Sequence, residues 1–278
     1  SSFRKDSWER REGGGGYTNT IKDGRIIEKG GVAFSEVFGP VSEQMSRQLK
    51  LEGKSFFATG VSVVLHSKAI HHPIIHMNIR YFEMDDKHYW FGGGIDLTPI
   101  YVNEKLAINF HQKLKSLCDR YNKSMYAQFK KGADDYFYVP HRNESRGIGG
   151  VFFDHFSEND ILDKEQILSF CLDLGKLFPE LYEDQILNAI ELNGMNFKYS
   201  FKNSPNDLKQ VELINDTMSL LEIIKIHINT FQEEEYNAED ESDIAKYTPG
   251  WTVDEDGRPV QIDNVDVDDM MEDMTIAD

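Results

Sequence analysis

The sequence predicts an α+β fold built on one antiparallel sheet. Three observations point to it. Segments with strand character follow one another from residue 25 to residue 91 with no helical period between them. Helical spacing of apolar residues begins only at Glu104. The order is also unlike the regular strand–helix alternation that a parallel sheet requires.

Taken in order, residues 1–24 are polar and glycine-rich, with Gly13 to Gly16 in a row. Residues 25–39 read as two strands separated by Gly30 and Gly31. Residues 56–66, FFATGVSVVLH, are β-branched and apolar, which predicts a strand. In residues 74–83 the chain alternates: Ile75, Met77, Ile79 and Tyr81 face one side, and His76, Asn78, Arg80 and Phe82 the other. Residues 89–91 predict a short strand that stops at Gly92, Gly93 and Gly94. Leu106, Phe110, Leu114, Leu117, Tyr121 and Met125 then recur at spacings of three and four, predicting one helix over 104–131. Strands are expected at 135–139 and 148–153, and a helix from Asp160 to Tyr182, with Asp160 or Asp163 as its cap. A further helix is read over 209–231, although Ile224, Ile226 and Ile228 also alternate as in a strand.

The net charge of −18 is concentrated at one end. Residues 233–278 hold 17 acidic and 2 basic side chains, a composition that predicts disorder. Trp251 and the spaced valines there suggest a segment that docks on something. So acidic a chain is a poor partner for nucleic acid. No apolar run is long enough to span a membrane. Cys118 and Cys171 lie within helical patterns and are read as buried apolar residues, neither a disulfide framework nor a thiolate metal site.

Three stretches hold chemistry. His76, Asn78 and Arg80 stand at i, i+2 and i+4, so they share one strand face. An imidazole, an amide and a guanidinium on one face suit a binding site for an acid, or else a solvated outer face. In WFGGGIDLTPIY, the glycines let backbone approach a flat ligand or another strand, and Asp96 can serve as a base, a cation partner or a turn residue. In HRNESRGIGG, Arg142 and Arg146 can hold a small polyanion or simply decorate a hairpin. The glycine runs lack the residues of a phosphate loop or a dinucleotide fingerprint. His71, His72 and His76 have no carboxylate or cysteine at ligand spacing, so no metal site is expected.

Together these segments resemble one family. FRKDSWERREGGGG, DGRIIEKGGVAFSEVFG, FFATGVSVVLH, PIIHMNIRYFE, WFGGGIDLTPIY, FKKGADDYFYVPHR and RGIGGVFFDHF stand in the order found in oxygen-dependent coproporphyrinogen III oxidases of haem biosynthesis. The resemblance runs from Phe3 to about Ile186. It implies a large, flat antiparallel sheet with helices on both faces, usually in a homodimer. It implies oxidative decarboxylation of two propionates of coproporphyrinogen III to vinyl groups, giving protoporphyrinogen IX, with dioxygen as co-substrate and no metal or organic cofactor. By that resemblance Asp96 would bond the central pyrrole N–H groups and help remove a proton. His76 and Arg80 would orient the reacting propionate or the peroxide. Asn78 would position substrate, Arg142 and Arg146 would hold other carboxylates, and Gly92, Gly93 and Gly94 would line the ring's face.

Departures are also visible. Ile79 stands where the family has Tyr, Ile74 and Ile75 fill a Thr-containing stretch, Ser145 replaces an Arg, and Ala33 replaces an Asn. After Ile186 the family's strand motif with its Asp-Arg pair is not recognisable. The chain therefore divides into an oxidase-like part (1–186), a divergent helical part (187–232) and an acidic tail (233–278). Two readings follow: a working oxidase, or a catalytically degenerate homologue serving as a structural subunit of a larger, heteromeric assembly. Relatives of this kind occur in mitochondria and in the cytoplasm.

Overall fold

The computed structural model describes residues 3–24, 26–50, 53–85, 88–159 and 161–192, with side chains through 186, and two short strands further on. The helix expected over 209–231 and most of the acidic tail lie outside the described residues.

Seven strands form one antiparallel sheet: β1 (Phe3–Glu9), β2 (Gly14–Lys22), β3 (Ile27–Pro40), β4 (Ser55–Ser67), β5 (Ile74–Met84), β6 (His88–Thr98) and β9 (Gly150–Phe156). Their order in the sheet is β1-β2-β3-β4-β5-β6-β9, so every strand pairs with its neighbour in chain order, and four of the six connections are hairpins without an intervening helix. A two-stranded ribbon, β7 (Tyr138–Val139) with β8 (Glu144–Ser145), precedes β9. In the acidic tail β10 (Trp251–Val253) pairs with β11 (Pro259–Gln261), so order exists where composition alone predicts none.

Three differences from the sequence reading have local causes. The glycine-rich start forms strands, because Gly14 to Lys22 pair along β3 from Val37 to Lys29. Gly30 and Gly31 do not break β3, and Gly92 to Gly94 do not end β6; all five are paired or enclosed within the sheet. The single helix expected over 104–131 is two, α2 (Glu104–Tyr121) and α3 (Met125–Tyr136). Asn122 is extended, and its side-chain oxygen accepts from the amide and hydroxyl of Ser124, a turn that competes with helix. α3 then runs through Tyr136, so of the strand read at 135–139 only Tyr138 and Val139 are strand, as β7.

α4 (Lys164–Leu192) begins at the predicted cap. Asp163 accepts from the Gln166 amide at 2.8 Å, and Gln166 Oε1 accepts from the Asp163 amide at 3.0 Å, a reciprocal cap. The helix continues past residue 186 to Leu192. A short helix the sequence reading lacks, α1 (Glu43–Leu49), starts where Ser42 accepts from the Met45 amide.

The two sheet faces differ in kind. On one, Ile75, Met77, Ile79 and Tyr81 of β5 join Val61, Val63, Phe91 and Ile95 under α2, α3 and α4. Phe170 of α4 is fully buried there and meets Tyr121, Phe129, Phe153 and Phe156. On the other, α1 places Met45 over a smaller cluster of Val37, Phe56, Ala58, Phe82, Met84 and Trp90 at one end of the sheet. Helices thus cover both faces, but unequally. Cys118 and Cys171 are both free and buried in the main core, and burial pushes the Cys118 thiol up to about 12.

Candidate active site

Between α1's cluster and the far end of the sheet, strand register builds a patch of small residues around a few charged ones. Three rows cross β3, β4, β5 and β6, and two of them continue onto β9. The first is Gly31, Val64, His76, Asp96 and Gly150. The second is Ala33, Ser62, Asn78, Gly94 and Phe152. The third is Ser35, Gly60, Arg80 and Gly92. A period of two along each strand turns these residues to the same side, away from the three long helices.

The solvated-face alternative for His76, Asn78 and Arg80 does not hold: each is only 5% exposed. Nor is Asp96 a turn residue; it lies within β6, directly opposite His76, and is 1% exposed. Charged and polar groups sunk this far must be partnered. Asp96 Oδ2 lies 3.3 Å from His76 Nδ1 and accepts from Arg146 Nη2 at 3.1 Å. With Nδ1 protonated, His76 donates to that oxygen as well. Asp96 Oδ1 has no hydrogen-bond partner among the described residues. Two donors on one oxygen fix the carboxylate and leave the other oxygen free to meet a ligand.

Arg80 Nη2 lies 3.2 Å from Asp154 Oδ1, and its Nε has no hydrogen-bond partner among the described residues. Gly92 is what lets this side chain lie flat, since a Cβ there would come within 2.5 Å of Arg80 Nε. Gly94 answers to the strand-approach alternative: a Cβ would lie 2.4 Å from the Val151 carbonyl oxygen of β9.

The site has a wall as well as a floor. A cavity of about 320 Å³ is lined by Asn78, Arg80, Gly93, Gly94, Asp96 and Arg146 of the predicted set. Tyr136, Phe137, Tyr138 and Val139, from the end of α3 and from β7, overhang it together with Phe152. The Tyr136 and Phe152 rings stack at 4.2 Å, and Arg146 lies 4.4 Å from the centre of the Phe137 ring.

The two arginines of the HRNESR stretch separate. Arg146 reaches the cavity, held where its amide bonds the Phe137 carbonyl at 2.8 Å. Arg142 is at the exposed turn of the β7–β8 ribbon, 3.7 Å from Glu144 and outside the cavity lining. His76 sits beside Asp96 without lining the cavity, and Gly92 lies under Arg80. Two neighbours escape the sequence reading. Asp154 is one. His66 is the other: its ring meets that of His76 edge-on at 6.4 Å. Burial, then Lys29 and His76, hold its pKa below the usual imidazole range. Among the described residues no group of three His, Cys, Asp or Glu side chains is placed to hold a metal ion. No helix among them is long and apolar enough to cross a membrane.

The departures from the family pattern fall on different faces. Ile79 is 3% exposed within the helix-side core, so the lost Tyr is not on the site side. Ile75 faces the same core, whereas Ala33 does belong to the site floor, in line with Ser62 and Asn78. Ser145 lies exposed in β8.

Known proteins place this arrangement. The profile of the family described as coproporphyrinogen III oxidase matches residues 1–203. The human mitochondrial oxygen-dependent coproporphyrinogen-III oxidase is 45% identical over 195 residues, covering 66% of this chain and 42% of that protein. The Drosophila melanogaster oxygen-dependent coproporphyrinogen-III oxidase is 51% identical over 164 residues, 55% of this chain and 42% of that protein. The enzyme of the same name from Rickettsia rickettsii is 40% identical over 195 residues, covering 69% of this chain and 67% of its own length. The chain thus spans about two fifths of the animal relatives it matches. The mouse relative, like the human one, is mitochondrial by name. The match extends past the residues that hold the site, and by it this chain belongs to the coproporphyrinogen III oxidase family.

Proposed function

We propose that this chain binds coproporphyrinogen III on the small-residue sheet face. There it would convert two propionates to vinyl groups, with dioxygen as acceptor and no metal or organic cofactor. The observation that carries the proposal is Asp96: a buried carboxylate, held on one oxygen by His76 and Arg146, with its other oxygen unpartnered beside a cavity. That oxygen suits a pyrrole N–H, a donor with no acceptor of its own. Arg80 and Arg146, which both line the cavity, supply guanidinium groups for propionates, which they can hold in bidentate fashion. Asn78 adds an amide at the cavity wall.

At about 320 Å³ the cavity is at the small end of ligand sites, which run from about 300 to 1,000 Å³. It suits one pyrrole with its reacting side chain. The rest of the macrocycle would lie over Ser62, Gly60 and Ala33, where no large side chain rises from the floor. In each half-reaction the propionate loses carbon dioxide and a hydride equivalent, and dioxygen takes up the two electrons. Asp96 would accept a pyrrole proton, making the ring electron-rich enough to meet dioxygen; holding the ring and that proton in register is the protein's contribution. A homodimer belongs to the same proposal, and Ile100, Tyr101 and Val102, each over 60% exposed, offer apolar surface for a subunit contact.

Incubating the chain with coproporphyrinogen III under air is expected to yield protoporphyrinogen IX, read after oxidation as protoporphyrin fluorescence. An anaerobic control should give none. Equal signals in the two vessels, or none in either, would reject the oxidase reading.

A further inference from the structure

We propose that Asp154, delivered to the site face by a β-bulge, is a positioning residue that fixes the Arg80 guanidinium. Register along the β6–β9 pair slips at one place. Phe91 is opposite Phe156 and Gly93 opposite Phe153, so Asp154 and His155 together stand against Gly92 alone. A bulge of this kind leaves one residue unpaired and re-aims the side chains around it. His155 takes up the irregularity with φ +48°, a left-handed conformation uncommon for a residue with a side chain.

The result departs from strict alternation. In a regular strand Asp154 and His155 would point to opposite faces. Here both contact side chains of the site face. Asp154 Oδ1 meets Arg80 Nη2 at 3.2 Å, and the His155 ring stacks on Trp90 at 4.8 Å. That stack continues through Phe82 to Phe56, giving His155 a rigid support across three more strands. The carboxylate is itself held, accepting from the His155 amide at 2.9 Å and lying 3.4 Å from His155 Nδ1.

Arg80 is therefore gripped from two sides. Gly92 leaves room beneath Nε, and Asp154 takes one Nη. The guanidinium is oriented before any ligand arrives, with Nε still unpartnered, which is the preorganisation that a carboxylate site needs. Asp154 is 34% exposed at its side chain, so it does not itself form the buried floor. It acts through Arg80. The kinetic part of this assignment rests on the oxidase reading; the grip on Arg80 does not.

The test uses the full chain with 15N-labelled arginine, the Arg80 side-chain resonances being assigned by their loss in R80K. In the wild type, restricted rotation should give slowly exchanging Arg80 guanidinium protons. In D154N that exchange is expected to speed up about 10-fold or more, with thermal unfolding little changed. In turnover, kcat should fall about 10-fold while KM does not rise, because the arginine keeps its charge but loses its orientation. D154E should recover part of the loss, and D154N should add nothing to R80K. Should D154N fail to fold, G92A, which forces Arg80 off its rest, must show the same change in exchange. Unchanged Arg80 exchange, turnover within twofold of wild type, or additive losses with R80K would overturn the assignment. If the wild type shows no turnover at all, the oxidase reading fails on its own, and the exchange measurement still decides whether Asp154 fixes Arg80.

Discussion

On the proposed oxidase activity, replacing Asp96 by Asn should cut turnover of coproporphyrinogen III about 100- to 10,000-fold, the range typical for loss of a positioned acid or base. The substitution keeps the shape of the side chain. It replaces one acceptor oxygen by an NH₂ group, so one side of the group turns from acceptor to donor. If the remaining oxygen stays toward His76 and Arg146, the NH₂ group points into the cavity, where a pyrrole N–H would meet another donor. In the opposite orientation the NH₂ group would face Arg146, whose guanidinium offers no acceptor. Either way binding and proton removal suffer together. Steady-state kinetics with protoporphyrin fluorescence measures the loss, with circular dichroism confirming that the protein is folded. Turnover within a few-fold of wild type would remove Asp96 from the chemistry.

The largest expected effect on stability lies on the opposite face. Phe170 is fully buried where α4 meets α2, α3 and β9, with Tyr121, Phe129, Phe153 and Phe156 around it. Phe170→Ala removes a ring from a point where α2, α3, α4 and β9 all meet. A buried Phe→Ala change costs about 3–5 kcal/mol, a large share of the roughly 5–15 kcal/mol that holds a typical domain folded. At about 2–4 °C per kcal/mol for a domain of this size, Tm should fall by about 6–20 °C. Calorimetry or denaturant titration checks this. A loss under about 1 kcal/mol would mean that the helix layer does not depend on this contact.

Much of the site could be read from the chain because alternation on a strand is a local property. His76, Asn78 and Arg80 share a face for the same reason that Ile75, Met77 and Ile79 share the other. Asp96 is brought opposite His76 by a hairpin, the shortest-range pairing a sheet offers. What the sequence concealed depends on partners far away in the chain. Gly14 to Gly16 look like a flexible loop until Val37, Glu36 and Ser35 pair with them. Arg142 and Arg146 look equivalent until the β7–β8 turn sends one outward and the other over Asp96. Asp154 lies in an apolar stretch with no local signal, because its role depends on a slip in register against β6. The break at Asn122 was the exception, since an Asn followed by Ser124 is a legible turn within a helical period.

The family departures are also better judged with the sheet in hand. Losing Tyr at Ile79 changes packing under the helices and leaves the site floor untouched. Ala33 is the departure that alters the floor itself, lowering it in line with Ser62 and Asn78. His76 and Arg146 both reach Asp96, and Asp154 holds Arg80, contacts that support a binding surface that is intact.

Equilibrium binding of coproporphyrin III, the aromatic and unreactive form of the ring, to the wild-type chain and to R146A and R142A tests that surface most directly. Fluorescence should report saturable binding to wild type. R146A should weaken it about 10- to 100-fold, the value of a hydrogen bond to a charged group, while R142A should stay within about twofold. Equal losses in the two variants, or no saturable binding to wild type, would contradict a tetracarboxylate site centred on Asp96.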